Sequence, residues 1–319
     1  MVSRRCCRIV SRLDSVIYKH GFDVVLSVSD SRPLHPLGET LTAERLQQLG
    51  QLRALISGFG TVLVAYSGGV DSSLVAALAA EQLGDQAEAV TGVSPALAPQ
   101  LLAEARWQAH WLGLRHRELA TKELEDPAYA NNPSDRCYAC KRELHSLLVP
   151  LAAGAAQVLD GVNLDDLGDH RPGLRAAQEL GVVSPLVACG INKQGVRELS
   201  RALGFPWWDK PAQPCLASRF PYGESITAAR LGRVARVEQW LREQGYAELR
   251  VRSQGETARI ELPVAALEGF FQAIDRQQLV TVFLDQGFTA VSLDLEGLVS
   301  GKLNRSLGDQ AQGHLGAGA

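Results

Sequence analysis

The stretch Ser67-Gly68-Gly69-Val70-Asp71-Ser72-Ser73 collects residue types suited to holding an anion. Its two glycines carry no Cβ, so the backbone can turn tightly and approach a ligand closely. The apolar run Val62-Leu63-Val64-Ala65-Tyr66 reads as a buried strand entering the loop, and Val70 to Leu83 reads as a small-residue helix leaving it. At such a junction the first helix amides lack intrahelical partners, and the helix dipole favours negative charge. Ser67, Ser72 and Ser73 add hydroxyl donors, whereas Asp71 would repel a phosphate unless it orients amides or helps to hold Mg²⁺. Competing phosphate motifs are missing. No G-x-x-x-x-G-K-[ST] occurs, and Gly58-Phe59-Gly60 lacks a third glycine and precedes a strand.

Thiols form the second chemical signal. Six cysteines in 319 residues are too sparse for a disulfide scaffold. Cys137-Tyr-Ala-Cys140 stands at the start of an expected helix from Tyr138 to Leu148, beside Lys141 and Arg142, a setting that favours thiolates. Two thiols do not complete a zinc site, and no second C-x-x-C or spaced histidine pair exists. Cys215, in Pro214-Cys215-Leu216-Ala217-Ser218-Arg219, is a third thiol. Three thiolates can hold a [4Fe–4S] cluster with one iron open. Cys189 reads as a small apolar core residue.

Asp160-Gly161-Val162-Asn163-Leu164-Asp165-Asp166 follows an expected strand at Gln157 to Asp160, at the carboxyl end of the sheet where α/β ligands bind. Gly161 and Asn163 are therefore expected on nucleotide. Asp165 and Asp166 read either as Mg²⁺ ligands or as a solvated acidic loop. Arg250 and Arg252, two apart on an expected strand, share a face. Two guanidiniums there suit a substrate phosphate, with a salt-bridged strand surface as the other reading. Arg219 is grouped with them. Trp207 and Trp208 read as core anchors.

These residues need a frame. Leu46, Leu49, Leu52, Leu55 and Ile56 recur at helical spacing, and Gly58 and Gly60 stop that helix. Beyond the loop, Ala87 to Val93 reads as strand, Leu97 to Leu112 as helix and Arg115 to Leu119 as strand. Strands alternating with helices predict an α/β domain with a parallel sheet, over residues 39–205. Residues 206–319 open with a proline-punctuated linker. A helix from Thr227 to Gln244 follows, then a hairpin of Leu249–Arg252 and Ala258–Leu262 turned at Gln254-Gly255-Glu256. A helix to about Asp275 and a strand at Thr289 to Leu295 complete a smaller α+β domain for substrate or assembly. Residues 1–38 show no clear period and are expected to be a loosely packed extension.

Composition excludes several classes. The chain is 46% hydrophobic and 21% charged, enough apolar material for a core. No apolar run reaches the roughly 18 residues a spanning helix needs. A net charge of −3 argues against a long nucleic-acid track. No apolar h-region follows the N-terminal arginines, so the cytoplasm is expected.

The string Ser-Gly-Gly-Val-Asp-Ser resembles the pyrophosphate loop of the adenylating PP-loop enzymes. Their fold is the Rossmann-type, adenine nucleotide α-hydrolase-like sheet. The resemblance implies cleavage of ATP between its α- and β-phosphates, with Mg²⁺ offsetting the charge of the leaving pyrophosphate. More specifically, the chain resembles the LarE family of sulfur transferases in nickel-pincer nucleotide biosynthesis. The strings that carry this are Ser67–Leu74, Cys137-x-x-Cys140-Lys141, Asp160–Asp166, Arg171-Pro-Gly-x-x-Ala-Ala177, Ser184-Pro-Leu186, Trp208–Pro211, Cys215–Arg219 with Pro221-Tyr-Gly223, Arg250–Arg252, Ala258–Glu261 and Asp294–Gly297. They run in order through most of residues 42–305. The resemblance implies adenylation of a carboxylate of pyridinium-3,5-biscarboxylic acid mononucleotide and replacement of an oxygen by sulfur. One kind of member sacrifices the sulfur of a single cysteine. The other carries three cysteines and a [4Fe–4S] cluster, and Cys137, Cys140 and Cys215 match that kind. Asp71 and the three cysteines are the expected catalytic residues. The loop residues 67–73, Gly161 and Asn163 are expected on ATP, and Arg219, Arg250 and Arg252 on the substrate phosphate. The expected partners are a small anionic nucleotide and further copies of the chain, a homo-oligomer, with no membrane. A PP-loop tRNA thiolase and a non-catalytic nucleotide-binding scaffold remain as alternatives at this point.

Overall fold

The structure is a computed structural model that describes residues 40–152, 156–168, 172–299 and 301–305. The expected N-terminal extension and Arg171 lie outside the described residues. In chain order the elements are α1 (Ala43–Ser57), β1 (Thr61–Ala65), α2 (Val70–Leu83), β2 (Ala87–Val93), α3 (Pro99–Trp111) and β3 (His116–Ala120). Then come α4 (Pro127–Ala130), α5 (Arg136–Leu151), β4 (Ala156–Leu159), α6 (Pro172–Glu179), α7 (Pro185–Ala188) and α8 (Lys193–Ala202). The last are α9 (Ala228–Glu243), β5 (Arg250–Gln254), β6 (Thr257–Glu261), α10 (Leu267–Ala273), α11 (Arg276–Asp285) and β7 (Ala290–Leu293). The chain divides into two compact units. One runs to Glu123 and resumes over Cys137–Gln213; the other comprises Leu124–Arg136 and the chain from Pro214 onward.

The first unit is built on a four-stranded parallel sheet of order β3-β2-β1-β4. Side chains alternate across a strand, and β1 shows the consequence. Val62, Val64 and Tyr66 join one core cluster with Leu49, Leu52 and Ile56 of α1, most of α2, and Val196 and Leu199 of α8. Leu63 and Ala65 join a second cluster with Val90, Val158 and Leu148 of α5. Both faces of the sheet are thus covered, as a parallel sheet requires. Leu52, Leu74 and Leu78 are fully buried, each contributing about 1.5–3 kcal/mol. Ala76, Ala77 and Ala79 of α2 are buried beside Leu74 and Leu78. Trp207 is fully buried and stacks on Phe205 at 5.2 Å, with Trp111 edge-on at 5.2 Å. It is a core anchor, as expected. Cys189 also belongs to this core, and burial raises its thiol pKa.

The second unit carries a three-stranded sheet of order β5-β6-β7, with β5 antiparallel and β7 parallel to β6. α9 packs on β5, capped at its start by Thr227, whose hydroxyl accepts from the Arg230 amide. Leu124–Arg136 belongs to this unit because the Asn132 and Ala130 carbonyls accept from the Gly223 and Ile226 amides. The helix expected to about Asp275 is α10, which ends at Ala273, and a further helix that the sequence reading did not anticipate, α11, follows it. Asp275 caps α11 by accepting from the Gln278 amide.

Candidate active site

In the first unit β1 delivers the chain to Ser67 and α2 begins at Val70. Gly68 sits at φ +68°, and a Cβ there would meet Ala105 at 3.0 Å. Glycine satisfies both demands. Gly69 occupies the N-cap of α2 with no side chain to cap it. By contrast α1, α8, α9 and α11 are capped by Thr42, Asn192, Thr227 and Asp275. The first amides of α2 therefore keep their capacity for an anion. The Ser72 hydroxyl accepts from the Ser67 amide at 3.2 Å and donates to the Gly69 carbonyl at 3.2 Å. The Ser67 hydroxyl lies 3.1 Å from it and accepts from the Gly69 amide at 3.3 Å. These two serines knit the loop. Ser73 is fully buried, near Tyr66, whose hydroxyl lies 3.4 Å from the Ala105 carbonyl and from Gln108 Oε1 and whose phenol burial holds well above its ordinary pKa. The Ser73 hydroxyl therefore faces the core. Val70, also buried, offers only its backbone.

The Asp160–Asp166 loop lies directly on the first turn of α2. A Cβ on Gly161 would stand 2.6 Å from the Ser72 amide nitrogen. Asn163, buried, donates its amide to Asp71 Oδ1 at 3.1 Å. Asp71 Oδ2 takes the Lys193 ammonium at 2.5 Å. The Asp165 and Asp166 carboxylates accept from the backbone amides of Lys193 and Asn163, both at 3.0 Å. These contacts shape the loop. A second lysine, Lys210, is buried beside the loop, with Glu104 at 2.5 Å and the Gly68 carbonyl at 3.4 Å. Burial raises the Asp160 carboxyl, while Ser184 and the Val162 amide oppose that shift. Lys193 is absent from the sequence expectations: it follows an ordinary helix cap, Asn192, and no motif marks it.

Cys137 and Cys140 lie three apart in the first turns of α5, so they share a face. Cys137 is exposed and Cys140 partly so. Gly173 of α6 packs against this turn, and a Cβ there would meet Lys141 Cγ at 2.8 Å. Among the described residues no three His, Cys, Asp or Glu side chains form a metal-binding group. Cys137, Cys140 and Cys215 lie outside any disulfide and none is buried, so each presents a sulfur of the kind that iron and sulfide take.

In the second unit Cys215 opens the turn Leu216–Arg219 and is partly exposed. Arg219 grips Glu238 with two bonds of 2.8 and 3.1 Å, and donates to the Pro214 and Cys215 carbonyls. Burial pushes the Glu238 carboxyl up, but Arg219 outweighs it and leaves the pKa below the usual range. Arg252 donates to the Ser218 carbonyl at 2.6 Å and pairs with buried Glu261 at 2.9 Å. Two of the three expected phosphate ligands thus hold the Cys215 turn in shape. Both still line a pocket of about 120 Å³ with Pro221, Gln254, Arg259, Lys302 and Leu303. Arg259 and Lys302 are additions that the sequence did not suggest. Arg250 is half-buried, and its pKa is lowered by burial and by the neighbouring Arg252 and Arg219 charges. A desolvated cation among cations attracts an anion.

Comparison with known proteins fixes the context. A family model described as asparagine synthase matches residues 53–131, which include the phosphate loop. The pyridinium-3,5-bisthiocarboxylic acid mononucleotide synthase of Lactiplantibacillus plantarum is 38% identical over 261 residues, covering 80% of this chain and 93% of its own. The chain belongs to the LarE family. An uncharacterized Synechocystis protein is 52% identical over 82% of this chain and 98% of its own. An uncharacterized Methanocaldococcus jannaschii protein is 28% identical over 74% and 89%. As a LarE-family chain with a PP-loop domain, it is an enzyme whose fold implies ATP with Mg²⁺. Among the described residues no helix is long and apolar enough to cross a membrane.

Proposed function

We propose that this chain adenylates a carboxylate of pyridinium-3,5-biscarboxylic acid mononucleotide with ATP and converts it to a thiocarboxylate. The observation that carries the reading is the uncapped start of α2 at the glycine loop, in a chain 38% identical to a synthase named for the bisthiocarboxylic product. The substrate carboxylate oxygen attacks the α-phosphorus, the bond to the bridging oxygen breaks, and pyrophosphate leaves. The amides of Val70, Asp71 and Ser72 stabilise the charge that develops on the leaving group. A sulfur nucleophile then adds to the acyl carbon and AMP departs with one former carboxylate oxygen. Asp71 orients the loop or takes part in holding Mg²⁺. Arg250, with Arg219 and Arg252, takes the substrate phosphate by charge-assisted bonds. Cys137, Cys140 and Cys215 are the ligands of a [4Fe–4S] cluster. Bound there, a cluster would supply exchangeable sulfide. No cysteine sulfur is then consumed.

The test mixes anaerobically purified protein with ATP, Mg²⁺, the dicarboxylate nucleotide and sulfide. Pyrophosphate, AMP and a product heavier by sulfur for oxygen are expected over many turnovers, with iron and sulfide bound to the chain. A single turnover that leaves dehydroalanine at Cys215 would replace the cluster reading with a sacrificial one. No pyrophosphate would overturn the adenylation.

A further inference from the structure

Asp71 lies in the first turn of α2, where its negative charge competes with a phosphate for the same positive helix end. The structure gives that charge a partner from far along the chain. Lys193, the first residue of α8, sets its ammonium 2.5 Å from Asp71 Oδ2, while Asn163 holds Oδ1 at 3.1 Å. Its position is itself braced. The Lys193 amide donates to Asp165 at 3.0 Å, and Asn192 caps α8 by accepting from the Gly195 amide at 2.9 Å. Both charged side chains remain partly exposed, 29% for Lys193 and 22% for Asp71, so the pair borders solvent rather than core.

We propose that Lys193 is a positioning residue of the phosphate loop: its ammonium neutralises and fixes Asp71, so that the polyphosphate of ATP can settle on the amides of α2. The proposal rests on the reading of this loop as the ATP site. An unpaired carboxylate in the first turn would repel the incoming phosphates and swing freely. With Lys193 in place the acid is neutralised and both of its oxygens are directed.

The test measures equilibrium binding of ATP with Mg²⁺ to the full chain for the wild type, K193M, K193R, D71N and the double variant. K193M is expected to weaken binding about tenfold or more, and K193R to stay within about threefold of wild type. In the D71N background, K193M should add little, because the charge that Lys193 neutralises is gone. K193Q is read in the same way if K193M does not fold. Equal losses from K193M in both backgrounds would overturn the proposal, showing that Lys193 acts without Asp71. Unchanged binding in K193M would overturn it too. A wild type that binds no ATP would sink the ATP reading itself, a result distinct from either.

Discussion

At the scale of single residues, Asp71 joins the loop to the rest of the site. It holds Asn163 and Lys193 at once, 92 and 122 positions away. Replacing it with alanine should lower pyrophosphate release at least about a hundredfold while leaving the unfolding midpoint near wild type, since its side chain is not in the core. Wild-type release rates in Asp71→Ala would remove it from the mechanism. His145 makes a different prediction. It is fully buried on α5, neither ring nitrogen has a hydrogen-bond partner among the described residues, and burial, with the Lys141 charge, pushes its pKa down to about 3. The unfolded chain takes up this proton near pH 6.5, the folded chain only near pH 3. Between those values the unfolded state binds more protons, so stability falls as pH falls, by at most about 1.4 kcal/mol per pH unit. His145→Leu should flatten that part of the acid dependence in urea titrations. An unchanged slope would show that His145 does not titrate this way.

At the scale of elements, the strand–glycine–helix junction was legible because it is contiguous. The sequence expectation for α2, Val70 to Leu83, and for β2, Ala87 to Val93, matches the observed bounds. Arg250 and Arg252 do share a strand. What local pattern could not show is who meets them. Glu238 comes from α9 and Glu261 from β6, and these buried acids engage Arg219 and Arg252. Lys193 was equally hidden, because its role depends on where α8 returns to the sheet. Two predictions belong here. Gly161→Ala should force the β4 loop off α2, since its Cβ would overlap the Ser72 backbone. It should cost about 1–3 kcal/mol and weaken ATP binding together with stability. Normal ATP binding in Gly161→Ala would show that the contact is slack. Glu238→Ala would strand the buried Arg219 guanidinium and should cost about 3–5 kcal/mol in chemical denaturation. A loss below about 1 kcal/mol would mean that Arg219 finds other partners.

At the scale of the whole molecule, each unit contributes a different chemistry. The first holds the phosphate loop and the C-x-x-C turn; the second holds Cys215 and a pocket rich in arginine and lysine. The net charge of −3 conceals that concentration of cations, which is why total charge argued against a long nucleic-acid track yet could not locate a local cluster of cations. In the proposed reaction ATP activates a substrate carboxylate at the α2 loop. The most direct measurement uses dicarboxylate nucleotide with heavy oxygen in its carboxylates, incubated with the protein, ATP, Mg²⁺ and sulfide. One heavy oxygen is expected in the phosphate of each AMP released, none in pyrophosphate, and one thiocarboxylate formed per AMP. AMP free of the label, or ADP and phosphate in place of AMP and pyrophosphate, would contradict the proposed reaction.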